Sequence, residues 1–127
     1  MKASNYLLDT HTLLWATSES AKLSDRVREI LESDQHRLFV SSGTLWEISI
    51  KQNIQKLFLP DNFCSAIFDF GYERLSIELN HLDAYRKLPI LHKNPFDRLL
   101  IAQAKSEQLV LLTSDEEMQR YDVDCIW

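Results

Sequence analysis

The sequence predicts an α/β fold: a central parallel sheet covered by helices on both faces. Three observations carry this. Short apolar runs without polar alternation, at 5–8, 38–40 and 109–112, have the pattern of strands buried on both sides. Stretches with helical spacing separate those runs, so strands and helices alternate along the chain. Glycine occurs only twice and proline three times in 127 residues, and no linker, low-complexity segment or internal repeat interrupts the pattern.

The elements follow in order. Residues 5–8 form a first strand ending at Asp9, and residues 12–16 a short helical turn. Ser24 is a good N-cap for an amphipathic helix with Val27, Ile30 and Leu31 on one side. Residues 38–40 read as a second strand. Ser42 then caps a helix to about Gln52, and Asp61 caps another from Asn62 to Phe70, with Phe63, Ile67 and Phe70 on one face. Residues 75–77 are the weakest strand signal, and residues 80–88 are helical. Pro95 suits the first position of a helix over 96–107, whose apolar residues nearly encircle it and predict deep burial. Residues 109–112 are a clear interior strand, and 123–127 read as a final edge strand, giving four to five strands in all.

Composition bounds the function. A chain of 127 residues, 45% apolar and 26% charged, is the size and type of one globular domain spanning 1–127. Cys64 and Cys125 have no zinc-like spacing and are expected as reduced thiols. The opening apolar run is too short for a secretory signal, and no stretch reaches the ~18 residues needed to span a membrane. The expected location is the cytoplasm. The net charge of −5 argues against nucleic-acid binding, which needs local positive charge.

Four acids qualify that objection. In parallel sheets, ligands gather at the carboxyl ends of the strands. Asp9 follows the first strand and Asp115 the fourth, Asp97 lies in the first turn of the buried helix, and Glu47 sits mid-helix after the second strand. Each has an ordinary structural reading: Asp97 as compensation of a helix N-terminus, Asp115 as an N-cap, Glu47 as the i+4 partner of Lys51. Asp9, at the end of a buried strand, needs a partner or a metal. Brought together, four carboxylates would raise one another's pKa unless a cation joined them. Hard divalent ions such as Mg²⁺ or Mn²⁺ prefer such oxygen donors, and an all-oxygen acidic site suits phosphodiester hydrolysis. With four acids engaged by metal, the rest of the chain is nearly neutral. Arg86, Lys87, His92, Lys93 and Arg98 cluster around the third acid, and Lys51 lies one turn from Glu47.

At these residues the chain resembles the PIN-domain family, in particular its VapC-like toxins. The stretches at 7–15 (Asp9), 41–51 (Glu47), 95–104 (Asp97) and 112–115 (Asp115) resemble that family's four motifs in order, and Tyr121, Ile126 and Trp127 fit its ending. The resemblance implies a three-layer α/β/α fold and a Mg²⁺- or Mn²⁺-dependent endoribonuclease, the toxin of a toxin–antitoxin pair. It implies metal binding and catalysis by Asp9, Glu47, Asp97 and Asp115, with Thr10 and Thr113 orienting carboxylates or water through their hydroxyls. Lys51, Lys93 and Arg98 are the candidate RNA contacts. A cognate antitoxin and a homodimer are the implied partners, with the apolar stretch 45–70 as the contact surface. Two positions depart from the family: Asn94 stands where many relatives carry Asp, and the segment 52–57 lacks the glycine common before Lys-Leu.

The expected chemistry is metal-assisted hydrolysis, in which the ion acidifies water for in-line attack on phosphorus. His11 is a weak candidate for a general base. Alternatives are a non-catalytic PIN-like module that binds RNA or protein, an aspartyl phosphotransferase using Asp9, and a DNA substrate.

Overall fold

The computed structural model describes residues 4–127; residues 1–3, which the single-domain expectation includes, lie outside the described residues. Five strands run in chain order: β1 (Asn5–Leu8), β2 (Arg37–Ser41), β3 (Glu73–Leu75), β4 (Val110–Leu112) and β5 (Cys125–Ile126). Six α-helices accompany them: α1 (Thr10–Ser18), α2 (Asp25–Glu32), α3 (Ser42–Asn53), α4 (Phe63–Ala66), α5 (Leu79–Arg86) and α6 (Pro95–Glu107). The sheet order is β3-β2-β1-β4-β5, with every neighbouring pair parallel.

Alternation along the strands divides the core in two. Tyr6, Leu8, Val40 and Leu112 pack on one face with Leu13, Val27, Ile48 and Phe63 of α1 to α4. Leu7 and Leu111 pack on the other with Leu100, Ile101, Ala102 and Ala104 of α6. Both faces of the strands are covered, which is why β1 and β4 carry apolar residues without alternation. Each buried leucine here contributes on the order of 1.5–3 kcal/mol. The result is a three-layer α/β/α sandwich, as the alternation of elements predicts.

The connections fix where chemistry can sit. From β1 the chain steps outward through β2 and β3, and its helices pack on one face. It then returns through α5 and α6 on the other face to lay β4 against β1. The strand order reverses between β1 and β4, and in open α/β sheets the carboxyl ends of the strands at such a switch point are where a ligand crevice forms.

Several boundaries differ from expectation. The turn at 12–16 is the middle of a nine-residue helix capped by Asp9, whose Oδ1 accepts the Thr12 N–H at 2.8 Å. Ser41, not Ser42, caps α3, its hydroxyl accepting the Gly43 N–H at 3.0 Å. Residues 62–70 do not form one helix: α4 gives way to a 3₁₀ turn over Ile67–Phe70, ended by Gly71 at φ +96°. Phe63 and Ile67 are buried, but this change of pitch leaves Phe70 79% exposed. The third strand lies two residues earlier than predicted, at Glu73–Leu75, where it pairs with β2. Of the expected final strand, only Cys125 and Ile126 pair.

Candidate metal and nuclease site

Asp9 leaves the end of β1 directly into the crevice. It is 3% exposed and doubly held: Thr12 donates its N–H to Oδ1, and Thr113, just past β4, donates its hydroxyl to Oδ2 at 2.6 Å. The Asp9 N–H donates to the Leu112 carbonyl at 3.2 Å, and the Thr12 hydroxyl reaches the same carbonyl at 2.9 Å. The two strand ends are thus stitched together around one carboxylate. Burial pushes the Asp9 carboxyl above its usual range, against the pull of these hydrogen bonds.

Glu47 comes from α3 and is 5% exposed. Thr10, the first residue of α1, donates its hydroxyl to Glu47 Oε1 at 2.6 Å. Lys51, one turn along α3, reaches Oε2 at 3.2 Å. The i+4 ion pair expected from the sequence therefore forms, on a carboxylate that also faces its acidic neighbours. Gly43 allows this placement. A Cβ at that position would stand 2.5 Å from Leu99 Cδ2, so glycine leaves room for the Leu99 side chain of α6 against α3.

Asp97 lies in the first turn of α6, which Asn94 caps by accepting the N–H groups of Phe96 at 2.9 Å and Asp97 at 3.3 Å. An amide performs this cap without adding a further negative charge to the acids nearby. Burial raises the Asp97 carboxyl from its ordinary 3.8 to about 6; His92 opposes the shift, and the charges of Glu47, Asp9 and Asp115 add to it. That mutual repulsion places all four acids in one electrostatic neighbourhood. Asp115 follows β4 in a tight turn, where its N–H donates to the Thr113 hydroxyl at 3.0 Å and its Oδ1 accepts the Glu117 N–H at 2.8 Å.

Sequence reasoning counted His92 only among the basic residues. Its Nε2 sits 2.9 Å from Asp97 Oδ2 and 3.4 Å from Asp115 Oδ2, between acids from two different elements. Its place just before Asn94-Pro95 was the one available signal. The bridge itself depends on tertiary packing: the buried Tyr121 hydroxyl accepts the N–H groups of Leu91 and His92 at 3.1 and 2.9 Å.

The candidate RNA contacts divide. Lys51 and Lys93 line a shallow cleft of about 420 Å³ with Glu47, Ile50, Asn94, Pro95 and Phe96. Arg98 instead packs its guanidinium over the Tyr85 ring of α5, 4.8 Å from the centroid, as a contact between helices. His11 is exposed and stacks near Trp15, with ring centroids 5.6 Å apart.

The donor set fits a divalent ion. Among the described residues, Lys51 pairs with Glu47, His92 lies against Asp97 and Asp115, and His11 acts on Asp9, while at Asp97 the charges of the other three acids add to the effect of burial. His92, Asp97 and Asp115 bring donor atoms within 4.8 Å of one another. Fold and site together define an α/β protein with an acidic cluster at the switch point of its sheet.

The chain belongs to the PIN-domain family, whose sequence model matches residues 6–124. No curated protein matches it in sequence. Solved structures match its fold over nearly the whole length. One is VapBC2 from Rickettsia felis bound to a promoter DNA fragment, at 20% identity, covering 97% of this chain and 98% of that one, with a TM-score of 0.76. DNA-bound VapBC from Salmonella typhimurium shares 20% identity over 97% of both chains, with a TM-score of 0.70. A toxin–antitoxin complex from Klebsiella pneumoniae shares 14% over 96% of both, with a TM-score of 0.69. No helix of the described residues is long and apolar enough to cross a membrane.

Proposed function

We propose that this protein is a metal-dependent endoribonuclease and the toxin of a toxin–antitoxin pair. The observation that carries the reading is the meeting of Asp9, Glu47, Asp97 and Asp115 at the β1/β4 crevice, with Asp97 pushed up to about 6 by burial and its acidic neighbours. Membership of the PIN family and the likeness to chains of VapBC and toxin–antitoxin complexes support it.

Asp9, Glu47, Asp97 and Asp115 would hold Mg²⁺ or Mn²⁺. The ion, when bound, supplies charge neutralisation and an acidified water for phosphodiester hydrolysis. The chain's own residues do the rest. Thr113 and the Thr12 N–H fix Asp9, and Thr10 and Lys51 fix Glu47, so both carboxylates face the crevice before substrate arrives. Lys51 and Lys93 give the adjoining cleft the positive charge a phosphate backbone requires. Arg98, set against Tyr85, shapes the α5–α6 wall.

The partners in this reading are RNA, a cognate antitoxin and a second copy of the chain, and the location is the cytoplasm. Trp46, Ile54, Phe58 and Phe70, between half and four-fifths exposed, give the stretch 45–70 the apolar surface for protein partners.

Cleavage of purified total RNA, with Mg²⁺ or Mn²⁺ and with EDTA, tests the reading. The wild type should give discrete fragments only with metal, and Asp97→Asn should give none. If the wild type binds metal yet cuts no RNA, the chain is a binding module or acts on DNA.

A further inference from the structure

We propose that His92 is a nitrogen ligand of the ion in this crevice, through Nε2, and that it turns the site toward Mn²⁺ and similar transition ions over Mg²⁺. The inference rests on the metal-site reading above and adds a donor of a different kind to it.

The geometry around Nε2 is that of a ligand edge. The atom is fully buried and makes no hydrogen bond within the described residues. Yet two carboxylate oxygens lie 2.9 and 3.4 Å away, on Asp97 and Asp115. Neither is aligned to accept from the ring N–H, so the close approach of the three atoms is not accounted for by hydrogen bonding. Adjacent ligands of an ion with bonds of about 2.0–2.2 Å stand roughly 2.8–3.1 Å apart in octahedral and roughly 3.3–3.6 Å apart in tetrahedral coordination. Each carboxylate oxygen stands from the imidazole nitrogen as adjacent ligands of such a shell do, and all three donor atoms lie within 4.8 Å of one another.

The position is also braced. Tyr121, 5% exposed, holds the backbone of Leu91 and His92 through its hydroxyl, so the ring is presented from a fixed turn. The Asn94 N–H reaches Nδ1 at 3.4 Å. Ligation through Nε2 leaves the ring proton on Nδ1 and gives up that contact, which is long for a hydrogen bond and worth little. An imidazole nitrogen favours later transition ions over Mg²⁺, which prefers oxygen and retains its waters.

Electron spin-echo spectroscopy of Mn²⁺ bound to the full chain tests this without cleavage. The wild type should show coupling to a directly bound ¹⁴N, replaced by a ¹⁵N pattern when the protein is made with ¹⁵N-histidine. His92→Gln should lose the coupling and weaken Mn²⁺ binding about tenfold or more, with a smaller change for Mg²⁺. Mn²⁺ that binds, and is lost in Asp97→Asn, but shows no histidine coupling in the wild type would overturn the inference and leave the acidic site standing. Coupling that survives in His92→Gln would also overturn it. A chain that binds no Mn²⁺ at all would remove the metal-site reading together with the inference.

Discussion

The two halves of the acidic crevice are built differently. Asp9 and Glu47 are almost fully buried, and each has a short 2.6 Å bond from a threonine hydroxyl plus a second partner. Asp97 and Asp115 are more open, and the side chain that links them is His92. The first half is held by its own hydrogen bonds as the chain folds. Burial raises the carboxyl in both halves, and at Asp97 the charges of Glu47, Asp9 and Asp115 add to it, a repulsion that a cation would relieve. Preorganisation is concentrated where the sheet can supply it, at the stitched ends of β1 and β4. The charge surplus sits on the helix and the loop that face them.

Breaking either half should abolish the chemistry. Asp9→Asn and Asp97→Asn should each lower metal-dependent RNA cleavage by about a thousandfold or more, read with labelled RNA under single-turnover conditions. Displacing one half from the other comes next. Gly43→Ala puts a methyl 2.5 Å from Leu99 Cδ2 and forces that buried side chain to shift between α3 and α6; it should cost about 1–3 kcal/mol in chemical denaturation and reduce cleavage through altered packing of the helices that carry Glu47 and Asp97. Loosening the preorganised half should have a smaller effect. Thr113→Val removes the hydroxyl bonded to Asp9 and should lower stability by about 1–2 kcal/mol, and metal affinity by about tenfold in calorimetric titration. The smallest change lies outside both halves. Gln55 adopts φ +60° just past the end of α3, and Gln55→Gly should stabilise the protein by about 0.5–1 kcal/mol without altering cleavage.

This division also explains what could be read from the sequence. The strands β1 and β4 were legible because burial on both faces demands continuous apolar residues. Helix α6 was legible because Pro95 opens it and its apolar surface is nearly complete. The meeting of the acids followed from where they stand relative to strand ends. Residues 62–70 misled because Phe63, Ile67 and Phe70 fit an α-helical face, while the backbone tightens to 3₁₀ pitch after Ala66. The distinction between the halves was not legible. Which threonine meets which carboxylate, and that His92 lies between Asp97 and Asp115, depend on contacts between segments up to 104 residues apart. Arg98 looked like a phosphate contact in sequence and packs on Tyr85 because α5 lies against α6.

The most direct test of an acidic crevice whose repulsion a cation relieves is thermal unfolding of the wild type and Asp97→Asn across pH, with and without Mn²⁺. Folded Asp97 holds its proton up to about pH 6, whereas the unfolded chain releases it near 3.8. The metal-free wild type should therefore lose stability as pH rises through that window, with the full cost present above it. Asp97→Asn should match the wild type near pH 4 and exceed it near pH 7, by up to about 2 kcal/mol. Mn²⁺ should raise the Tm of the wild type at neutral pH and leave the variant nearly unchanged. A wild type whose Tm ignores millimolar Mn²⁺, or an Asp97→Asn variant less stable than the metal-free wild type at neutral pH, would contradict the account.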